Sequence, residues 1–152
     1  MPHYLMKSEP SEYSIDDLQK DKSSSWYGVR NYQARNFMKE MKVGDKILFY
    51  HSSCDVVGVA GTAEVVAPAH ADETQFDPKE DYFEPKSTRE KYLWECVDVG
   101  FVEKFKDVVK LSDIRANPKL ANMRILQKGN RLSVTPLVQE EFDEILRMSN
   151  GK

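Results

Sequence analysis

The stretch VVGVAGTAEVVA, residues 56–67, decides the fold class of this 152-residue chain. Its composition predicts a β-strand, but Gly58 and Gly61 lie inside it. Glycines within a strand usually mark a sharp bend, a bulge or the close approach of another backbone segment. The stretch therefore predicts one strand of a small, curled sheet.

Other strands are predicted on both sides of this stretch. HYLMK and KILFYHS precede it, starting at residues 3 and 46, and RLSVTPL follows at residues 131–137. YLWECVDVGFVEKF, residues 92–105, predicts one long strand or two strands joined near Gly100. Alternate residues of KILFYHS should point to opposite faces, with Ile47, Phe49 and His51 on one face and Leu48 and Tyr50 on the other.

Two helices are predicted before KILFYHS. SIDDLQKD begins with Ser14, and Asp17 stands three positions later, as in a capping box. The second helix ends at Gly44. Its apolar residues recur at the spacing of one buried helix face: Ala34, Phe37, Met38 and Met41.

The last third of the chain adds further helices. Ser112 and the Asn117–Pro118 pair are typical helix starts, and Gly129 is a natural stop. QEEFDEILRM, residues 139–148, predicts the last helix. Its inward-facing residues are Phe142, Ile145 and Leu146.

These elements predict an α+β fold, in which helices decorate a small, mostly antiparallel β-barrel. Strands and helices do not alternate regularly, so a parallel α/β architecture is disfavoured. We expect one domain over residues 1–152. Residues 71–91 show neither the apolar periodicity of a helix nor that of a strand. They are rich in charge and contain two prolines, so they predict a long surface loop.

Composition narrows the class of protein. The apolar fraction of 40% and the charged fraction of 31% are ordinary for a soluble globular protein. The chain has no apolar run long enough for a membrane span and shows no secretory signal. Its two cysteines do not form a disulfide framework. We therefore expect a cytoplasmic protein, or a nuclear one in a eukaryote, that is not secreted.

The formal net charge of −3 constrains nucleic-acid binding. Proteins that hold nucleic acid by bulk electrostatics are usually basic, because affinity rises with the number of phosphates neutralised. If this chain binds nucleic acid, a local positive patch and a shaped pocket must supply the affinity.

The sequence argues against an enzyme, a metal site and a cofactor. HSSC, residues 51–54, places possible nucleophiles beside a histidine, but neighbours in sequence do not form a catalytic arrangement, and no G-x-S-x-G elbow is present. No phosphate-binding glycine loop precedes a helix. The candidate metal ligands lack the paired spacing of a zinc site: His3, His51, Cys54, His70 and Cys96.

Three clusters mix aromatic and polar residues at the ends of predicted elements. They are KSEP at residues 7–10, WYGVRN at 26–31 and FYHS at 49–52. Each alone has an ordinary structural explanation, such as a turn cap, a core edge or a strand end. Together they supply aromatic faces, an arginine, an asparagine and a histidine, which suit the recognition of one planar heterocycle.

The same segments resemble an EVE domain. The segments that carry the resemblance follow the family order from about residue 4 to residue 138: LMKSEPSEYSIDDL, WYGVRNYQARNFMKEMKVGDKILFYHS, VVGVAGTAEVV, TQFD, WECVDV and GNRLSVTPL. Tyr4 stands where the family often has tryptophan, Asn130 replaces a serine, and Phe142 replaces a C-terminal tryptophan. The first departure concerns the pocket wall and the other two concern packing.

This resemblance implies a PUA-like fold related to YTH domains, and recognition of a modified base in nucleic acid. Family members are associated with modified cytosine in DNA, and others with modified RNA. The pocket implied by the resemblance is formed by Lys7, Ser8, Glu9, Trp26, Val29, Arg30, Asn31, Phe49, Tyr50, His51, Leu132 and Ser133.

We expect binding without turnover, with a modified base turned out of its strand into the pocket. Trp26 and Tyr50 would stack on the base. The hydrogen bonds to its edge would come from Asn31, Ser8 and Ser133.

Flanking phosphates would be held by Arg30, Arg35 and Lys7.

Two alternatives stay open at this point. The same pocket could sense a small molecule or a free nucleotide, or the 71–91 loop could recruit a protein partner.

Overall fold

The computed structural model describes residues 2–150. Its strands are β1 (His3–Ser8), β2 (Ser23–Ser25), β3 (Lys46–His51), β4 (Gly58–Ala71), β5 (Glu95–Lys110) and β6 (Val134–Leu137). Its helices are α1 (Ile15–Asp21), α2 (Tyr32–Glu40), α3 (Leu111–Ala116) and α4 (Gln139–Ser149). None of the helices within residues 2–150 is long and apolar enough to cross a membrane.

All six strands form one mixed sheet in the order β2-β5-β4-β3-β1-β6. The pairing of β1 with β3 is parallel, and the other pairings are antiparallel. The predicted α+β class and mostly antiparallel sheet are confirmed. The predicted barrel describes the sheet loosely, because its edge strands β2 and β6 do not pair within residues 2–150 and the sheet is not closed.

The long β4–β5 pair contains most of the register shifts of the sheet. Its register shifts at four places, the first between Val59 and Gly61. A Cβ atom at Gly61 would lie 2.2 Å from the Glu103 carbonyl oxygen and 2.9 Å from the Ile15 side chain. Close backbone approach therefore explains this glycine, as the sequence predicted. β5 is one continuous strand that passes through Gly100.

Each face of the sheet carries its own apolar cluster. Ile47 and Phe49 pack into the first cluster, beneath α1 and α2. Leu48 and Tyr50 pack into the second, with α3 and α4. The alternation predicted for KILFYHS is therefore confirmed, and it separates Phe49 from its neighbour Tyr50 by the thickness of the sheet.

The start of α1 is held by two side-chain caps. Ser14 Oγ accepts the Asp17 backbone N–H at 3.1 Å, and the Asp17 carboxylate accepts the Ser14 N–H at 2.9 Å, which confirms the capping box. His51, at the end of β3, accepts the Ile15 N–H through Nε2 at 3.1 Å. Nε2 must therefore be the unprotonated ring nitrogen. Burial lowers the pKa of His51.

Helix α2 is shorter than predicted. Asn31 caps its N-terminus by accepting the Ala34 N–H at 2.9 Å. The helix ends at Glu40 rather than near Gly44, because Met41 is already extended and the Asp45 carboxylate accepts the Lys42 N–H at 2.9 Å. The predicted apolar stripe is confirmed, with Phe37 as its one half-buried member.

The C-terminal third follows the prediction with small shifts. Ser112 lies one residue inside α3 rather than at its start. Asn117 caps the 3-10 helix Pro118–Leu120 by accepting the Lys119 N–H. A second 3-10 helix spans Arg124–Leu126, and Gly129 lies in the loop beyond it. The inward side chains of α4 pack as predicted: Phe142, Ile145 and, partly, Leu146.

The 71–91 segment is an anchored loop. Ala71 belongs to β4, and a 3-10 helix spans Glu73–Phe76. Gln75 is fully buried, and its amide donates to the Asp72 and Trp94 carbonyls at 2.8 and 2.6 Å. Its carbonyl oxygen accepts the Trp94 N–H and the Ser87 hydroxyl. One buried glutamine thus ties both ends of the loop together.

Gly61→Ala should lower the free energy of unfolding by about 2 kcal/mol, because an added methyl group would displace the β5 backbone. Chemical denaturation measures this loss. Gly100→Ala is the matched control: its Cβ would meet the side chain of exposed Val66 at 2.8 Å, and that side chain can rotate away. Equal losses in the two variants would contradict the close-approach explanation.

Acid should destabilise the fold partly through His51. Its folded pKa lies below the unfolded value of about 6.5, so its contribution is complete above about pH 6.5 and is lost as the pH falls through the folded pKa. His51→Gln retains an acceptor for the Ile15 N–H but does not titrate. Between about pH 7 and pH 5, we expect the free energy of unfolding, measured in urea, to fall less in this variant than in the unchanged chain.

His70→Gln provides a control of opposite sign. Partial burial lowers the pKa of His70, but the hydrogen bond and charge of Asp98 outweigh it, and the net shift is upward. The contribution of His70 is therefore present below about pH 6.5 and lost as the pH rises through the folded pKa. This variant should lose stability more steeply on acidification. A His51→Gln profile parallel to that of the unchanged chain would contradict the prediction.

Candidate functional site

A cavity of about 600 Å³ opens on the first-cluster face of the sheet, beyond the ends of β1 and β3. Segments distant in sequence form its walls: the turn after β1, the loop after β2, the residues following β3, the 71–91 loop and the loop before β6. We call it the first cavity. Its lining residues are Lys7, Ser8, Glu9, Glu12, Tyr13, Ser24, Ser25, Trp26, Tyr27, Gly28, Val29, Arg30, Ser52, Ser53, Tyr82, Arg131 and Ser133.

Backbone hydrogen bonds hold these segments together. The Lys7 N–H donates to the Ser133 carbonyl at 2.8 Å, and the Ser52 N–H donates to the Ser8 carbonyl at 3.0 Å. The Trp26 N–H donates to the Val97 carbonyl of β5 at 2.9 Å. The segments of the cavity rim are therefore hydrogen-bonded to one another and to the sheet.

The structure brings seven of the predicted site residues together in the first cavity: Lys7, Ser8, Glu9, Trp26, Val29, Arg30 and Ser133. Asn31 and Leu132 instead line a second cavity of about 680 Å³ beside it. Arg131 lines both cavities, so the two are contiguous.

Three predicted residues, Phe49, Tyr50 and His51, line neither cavity. The Phe49 ring is fully buried and makes edge-to-face contacts with Trp26 at 5.3 Å and with His51 at 5.7 Å. Phe49 therefore supports the indole from below, and the His51 imidazole serves as the cap of α1.

Tyr50 lies in the second cluster because it follows Phe49 in the strand and points to the opposite face. Burial raises the pKa of Tyr50 to about 12, so its hydroxyl is neutral. The Lys7 ammonium lies over the Tyr50 ring, 5.8 Å from its centroid. Burial lowers the pKa of Lys7. The Lys7 ammonium therefore lies on the same side of the sheet as the Tyr50 ring. Tyr50 is not placed to stack on a ligand in the first cavity.

All five N–H donors of Arg30 are used within the protein. Nε and Nη2 donate to the Tyr82 carbonyl at 3.2 and 2.8 Å. Nη1 donates to the Val29 carbonyl and to Asp72, both at 3.0 Å, and Nη2 also donates to Thr74 Oγ1 at 3.0 Å. Arg30 therefore clamps the 71–91 loop against the first cavity and has no donor left for a phosphate.

Asp72 is the anionic partner in this clamp. Its carboxylate is completely buried and accepts from Arg30, from the Gly28 N–H at 2.9 Å and from the Thr74 N–H at 2.9 Å. The Thr74 hydroxyl provides a fourth hydrogen bond. Because a buried charge is costly without partners, this complete set fixes the conformation of residues 28–30.

A continuous stack of planar groups leads from α2 to the cavity wall. The Arg35 guanidinium lies 4.9 Å from the Tyr32 ring, which stacks on Trp94 at 4.9 Å. Arg30 lies 5.4 Å from Trp94 and 5.3 Å from Tyr82. Arg35 also donates to the Leu93 carbonyl at 2.8 Å, and it lines neither cavity. A phosphate contact by Arg35 stays a prediction.

Tyr82 brings the 71–91 loop into the first cavity. Its ring covers Gly28, where an added Cβ would lie 2.7 Å from two ring carbons, and Gly28 has φ +87. Both features explain why glycine occupies this position. Sequence reasoning missed Tyr82. The signal available was DYFEP, an aromatic pair in the middle of a charged loop.

Several other lining residues were also missed, including Tyr13, Tyr27 and Ser25. Two of the cavity hydroxyls already donate within the protein: Ser8 to the Tyr13 carbonyl at 2.7 Å and Ser25 to Asp98 at 2.6 Å. Within residues 2–150, no hydrogen bond is made by the Ser133 hydroxyl or by the carboxylates of Glu9 and Glu12. These groups are therefore free to bind a ligand.

The described part of the chain gives no support for a metal centre in this cavity, because no group of three His, Cys, Asp or Glu side chains in residues 2–150 is placed to hold an ion. The groups present can instead stack on a flat ring, accept hydrogen bonds from amino groups and donate hydroxyl hydrogens. This is the chemistry of molecular recognition.

Comparison with known proteins agrees with the resemblance seen in the sequence. Thymocyte nuclear protein 1 of Gallus gallus is 40% identical over an alignment of 169 positions. The alignment covers 99% of this chain and 69% of the relative. A hypothetical protein from Leishmania major has a solved structure that is 48% identical, with a TM-score of 0.96 and coverage of 99% of this chain and 96% of that chain.

A third comparison bears on ligands. The human THYN1 protein, solved in complex with 5-methylcytosine-containing DNA, is 37% identical, with a TM-score of 0.92 and coverage of 100% of this chain and 99% of that chain. The family model described as EVE domain matches residues 2–148. On this match and these relatives, the chain belongs to the EVE domain family.

Proposed function

We propose that the first cavity binds one modified base of a nucleic acid without turnover, and that 5-methylcytosine in DNA is the ligand class to test first. The observation that carries the proposal is the convergence of Trp26, Ser133 and two free carboxylates on one cavity. The human relative solved with 5-methylcytosine-containing DNA supports the choice of ligand.

The size and walls of the first cavity suit a flipped base. Its volume of about 600 Å³ lies within the range of about 300–1,000 Å³ that is usual for small-ligand sites. Trp26 is only 8% exposed and rests on Phe49, so it offers a fixed surface. Tyr13, Tyr27 and Tyr82 supply further aromatic surface. Stacking is worth about 1–3 kcal/mol per base, enough to offset much of the cost of unstacking it.

The free polar groups fit the edge of cytosine. Carboxylates characteristically accept from the N4 amino group of cytosine. Glu9 or Glu12 can take this role, because neither carboxylate is engaged elsewhere in residues 2–150. The Ser133 hydroxyl can donate to a carbonyl oxygen or a ring nitrogen on the same edge.

A methyl group alone cannot supply strong selectivity. Burying one methyl in an apolar slot is worth about 0.8 kcal/mol, a preference of about fourfold. Larger discrimination needs a polar modification, or a site in which the unmodified base leaves buried groups unpaired. A panel of singly modified DNA and RNA oligomers, titrated at one salt concentration, measures which modification and which sugar are preferred.

Two other activities are distinguished by the same titrations. A sensor of free nucleotides would bind a modified nucleoside as tightly as an oligomer. A module that recruits a protein through the 71–91 loop would show no preference for any modification. Both outcomes would overturn the proposal.

Trp26→Leu should remove the preference for the modified oligomer while retaining an apolar side chain beneath the cavity. Loss of the stacking surface should cost about tenfold in affinity for the modified strand, and less for the unmodified one. Fluorescence anisotropy with paired oligomers measures the ratio.

Phe105→Leu is the matched control, since it shortens a buried aromatic residue of the second cluster, outside both cavities. It should lower stability without changing the binding ratio. Equal losses for both oligomers in Trp26→Leu would count against base recognition.

Arg30→Gln should act on stability and leave the salt dependence of binding unchanged. Removing the cation leaves Asp72 buried without its ion pair, which should cost about 3 kcal/mol of unfolding free energy. Because every Arg30 donor is already used, the slope of log Kd against log salt should match that of the unchanged chain.

Arg89→Gln is the control, because it removes an arginine of the 71–91 loop that Arg30 clamps. Its ion pair with Glu73 is exposed, with side-chain exposures of 67% and 54%, so the loss should be under about 1 kcal/mol. A smaller salt slope in Arg30→Gln would show that Arg30 contacts phosphate, contrary to the clamp described above.

A further inference from the structure

We infer that the second cavity holds the phosphodiester backbone on one side of the base that is bound in the first. This inference rests on the proposed function and extends it. It assigns phosphate binding to Arg124, Lys128 and Arg131, which the sequence motifs did not indicate.

The second cavity is cationic although the chain is acidic overall. Its charged lining residues are Arg124, Lys128 and Arg131, and no carboxylate lines it. These cations form no ion pair within residues 2–150. The surrounding sequence explains this: residues 114–139 contain five lysines and arginines and no aspartate or glutamate. The chain, whose net charge is −3, therefore concentrates unpaired positive charge in one place.

The lining also provides neutral hydrogen-bonding groups suited to phosphate and sugar oxygens. They are the side chains of Asn31, Gln33, Asn122, Gln127 and Asn130. Backbone-contacting surfaces of nucleic-acid-binding proteins combine such amides with lysine and arginine. No large apolar side chain other than Leu132 lines the cavity, so an apolar ligand is disfavoured.

The loop that carries these cations is internally fixed. The Asn130 amide donates to the Arg124 carbonyl at 2.6 Å, and Asn130 Oδ1 accepts the Leu132 N–H at 2.9 Å. The Arg124 guanidinium lies 5.8 Å from the Phe37 ring of α2. The backbone that carries these cations is therefore held by its own hydrogen bonds, and Arg124 is in contact with α2.

The two cavities adjoin each other. Arg30 lines the first and Asn31 the second, and Arg131 lines both. A strand whose base enters the first cavity can therefore pass over Arg131 and place its next phosphates near Lys128 and Arg124.

Another wall of the first cavity, the 71–91 loop, does not suit phosphate. The loop carries seven aspartates and glutamates against four lysines and arginines. Arg30, which contacts this loop, is fully engaged, and Arg89 is paired with Glu73. Phosphate is therefore repelled by this wall and attracted by the cations of the second cavity.

Charge-only substitutions test the inference. Each phosphate contact adds about 0.7 to the slope of log K against log salt for single strands and about 0.9 for duplex DNA. Lys128→Gln and Arg124→Gln should each lower the slope by about this amount and raise Kd about fourfold near 0.15 M salt. The loss should be equal for modified and unmodified oligomers, so selectivity should not change.

Lys86→Gln is the matched control, because it removes one exposed lysine of the 71–91 loop that lines neither cavity. It should leave the slope unchanged. A modified nucleoside without phosphates should bind the unchanged chain and Lys128→Gln equally well.

The outcomes separate the two proposals. If Lys128→Gln and Arg124→Gln leave the slope unchanged, or if Lys86→Gln lowers it as much, the assignment of the second cavity is wrong even where base selectivity is present. If the unchanged chain shows no preference among modified bases, the proposed function is wrong, and the slopes measured with unmodified oligomers still decide the role of the second cavity.

Discussion

The ion pair between Arg30 and Asp72 is the constraint on which the site depends. Its carboxylate is fully buried, and its guanidinium donates every N–H to protein acceptors. A buried pair of this kind contributes little net stability, but losing either partner leaves a charge uncompensated. Its effect is therefore geometric: it fixes the loop after β2, and through Tyr82 it makes a charged surface loop into a cavity wall. Recognition of a flat ring requires such fixed walls, because movement of a loop by a fraction of an ångström removes stacking and hydrogen bonds together.

The fold was largely predictable because its signals are local. Strand alternation in KILFYHS, the capping box at Ser14 and the apolar stripe of α2 each depend on residues within one element, and the structure confirms them. The glycines of β4 also lie where another backbone segment approaches closely, which is one of the explanations that the sequence offered. Two details were not predicted. The end of α2 is set by a local competitor, because Asp45 accepts the Lys42 N–H. The edge strands of the sheet stay apart, and this depends on segments far apart in sequence, which no local pattern reveals.

The candidate site was predictable in its segments but less so in its individual residues. The family motifs named the chain segments that meet, yet neighbours within one motif face different sides of the sheet. FYHS illustrates the limit: Phe49 lies under Trp26, Tyr50 packs on the far face, and His51 caps α1. The basic loop at residues 124–131 has no aromatic residue and a single glycine, so only the three-dimensional arrangement associates its charges with the first cavity. The sequence also does not distinguish the roles of Arg30 and Arg131, because their side chains carry the same charge. In the structure, only Arg30 uses all its donors in contacts within the protein.

The position of β1 has a consequence for how the chain is made. β1 lies between β3 and β6, so it pairs with residues 46–51 on one edge and residues 134–137 on the other, and both segments are synthesised after it. Such separations give a high contact order, which slows folding because long loops must close before their contacts form. During synthesis, the outer edge of β1 stays open until β6 has emerged from the ribosome, presenting unpaired backbone groups to other chains in the meantime. β6 therefore protects this edge of the nascent sheet from intermolecular pairing once it has been made.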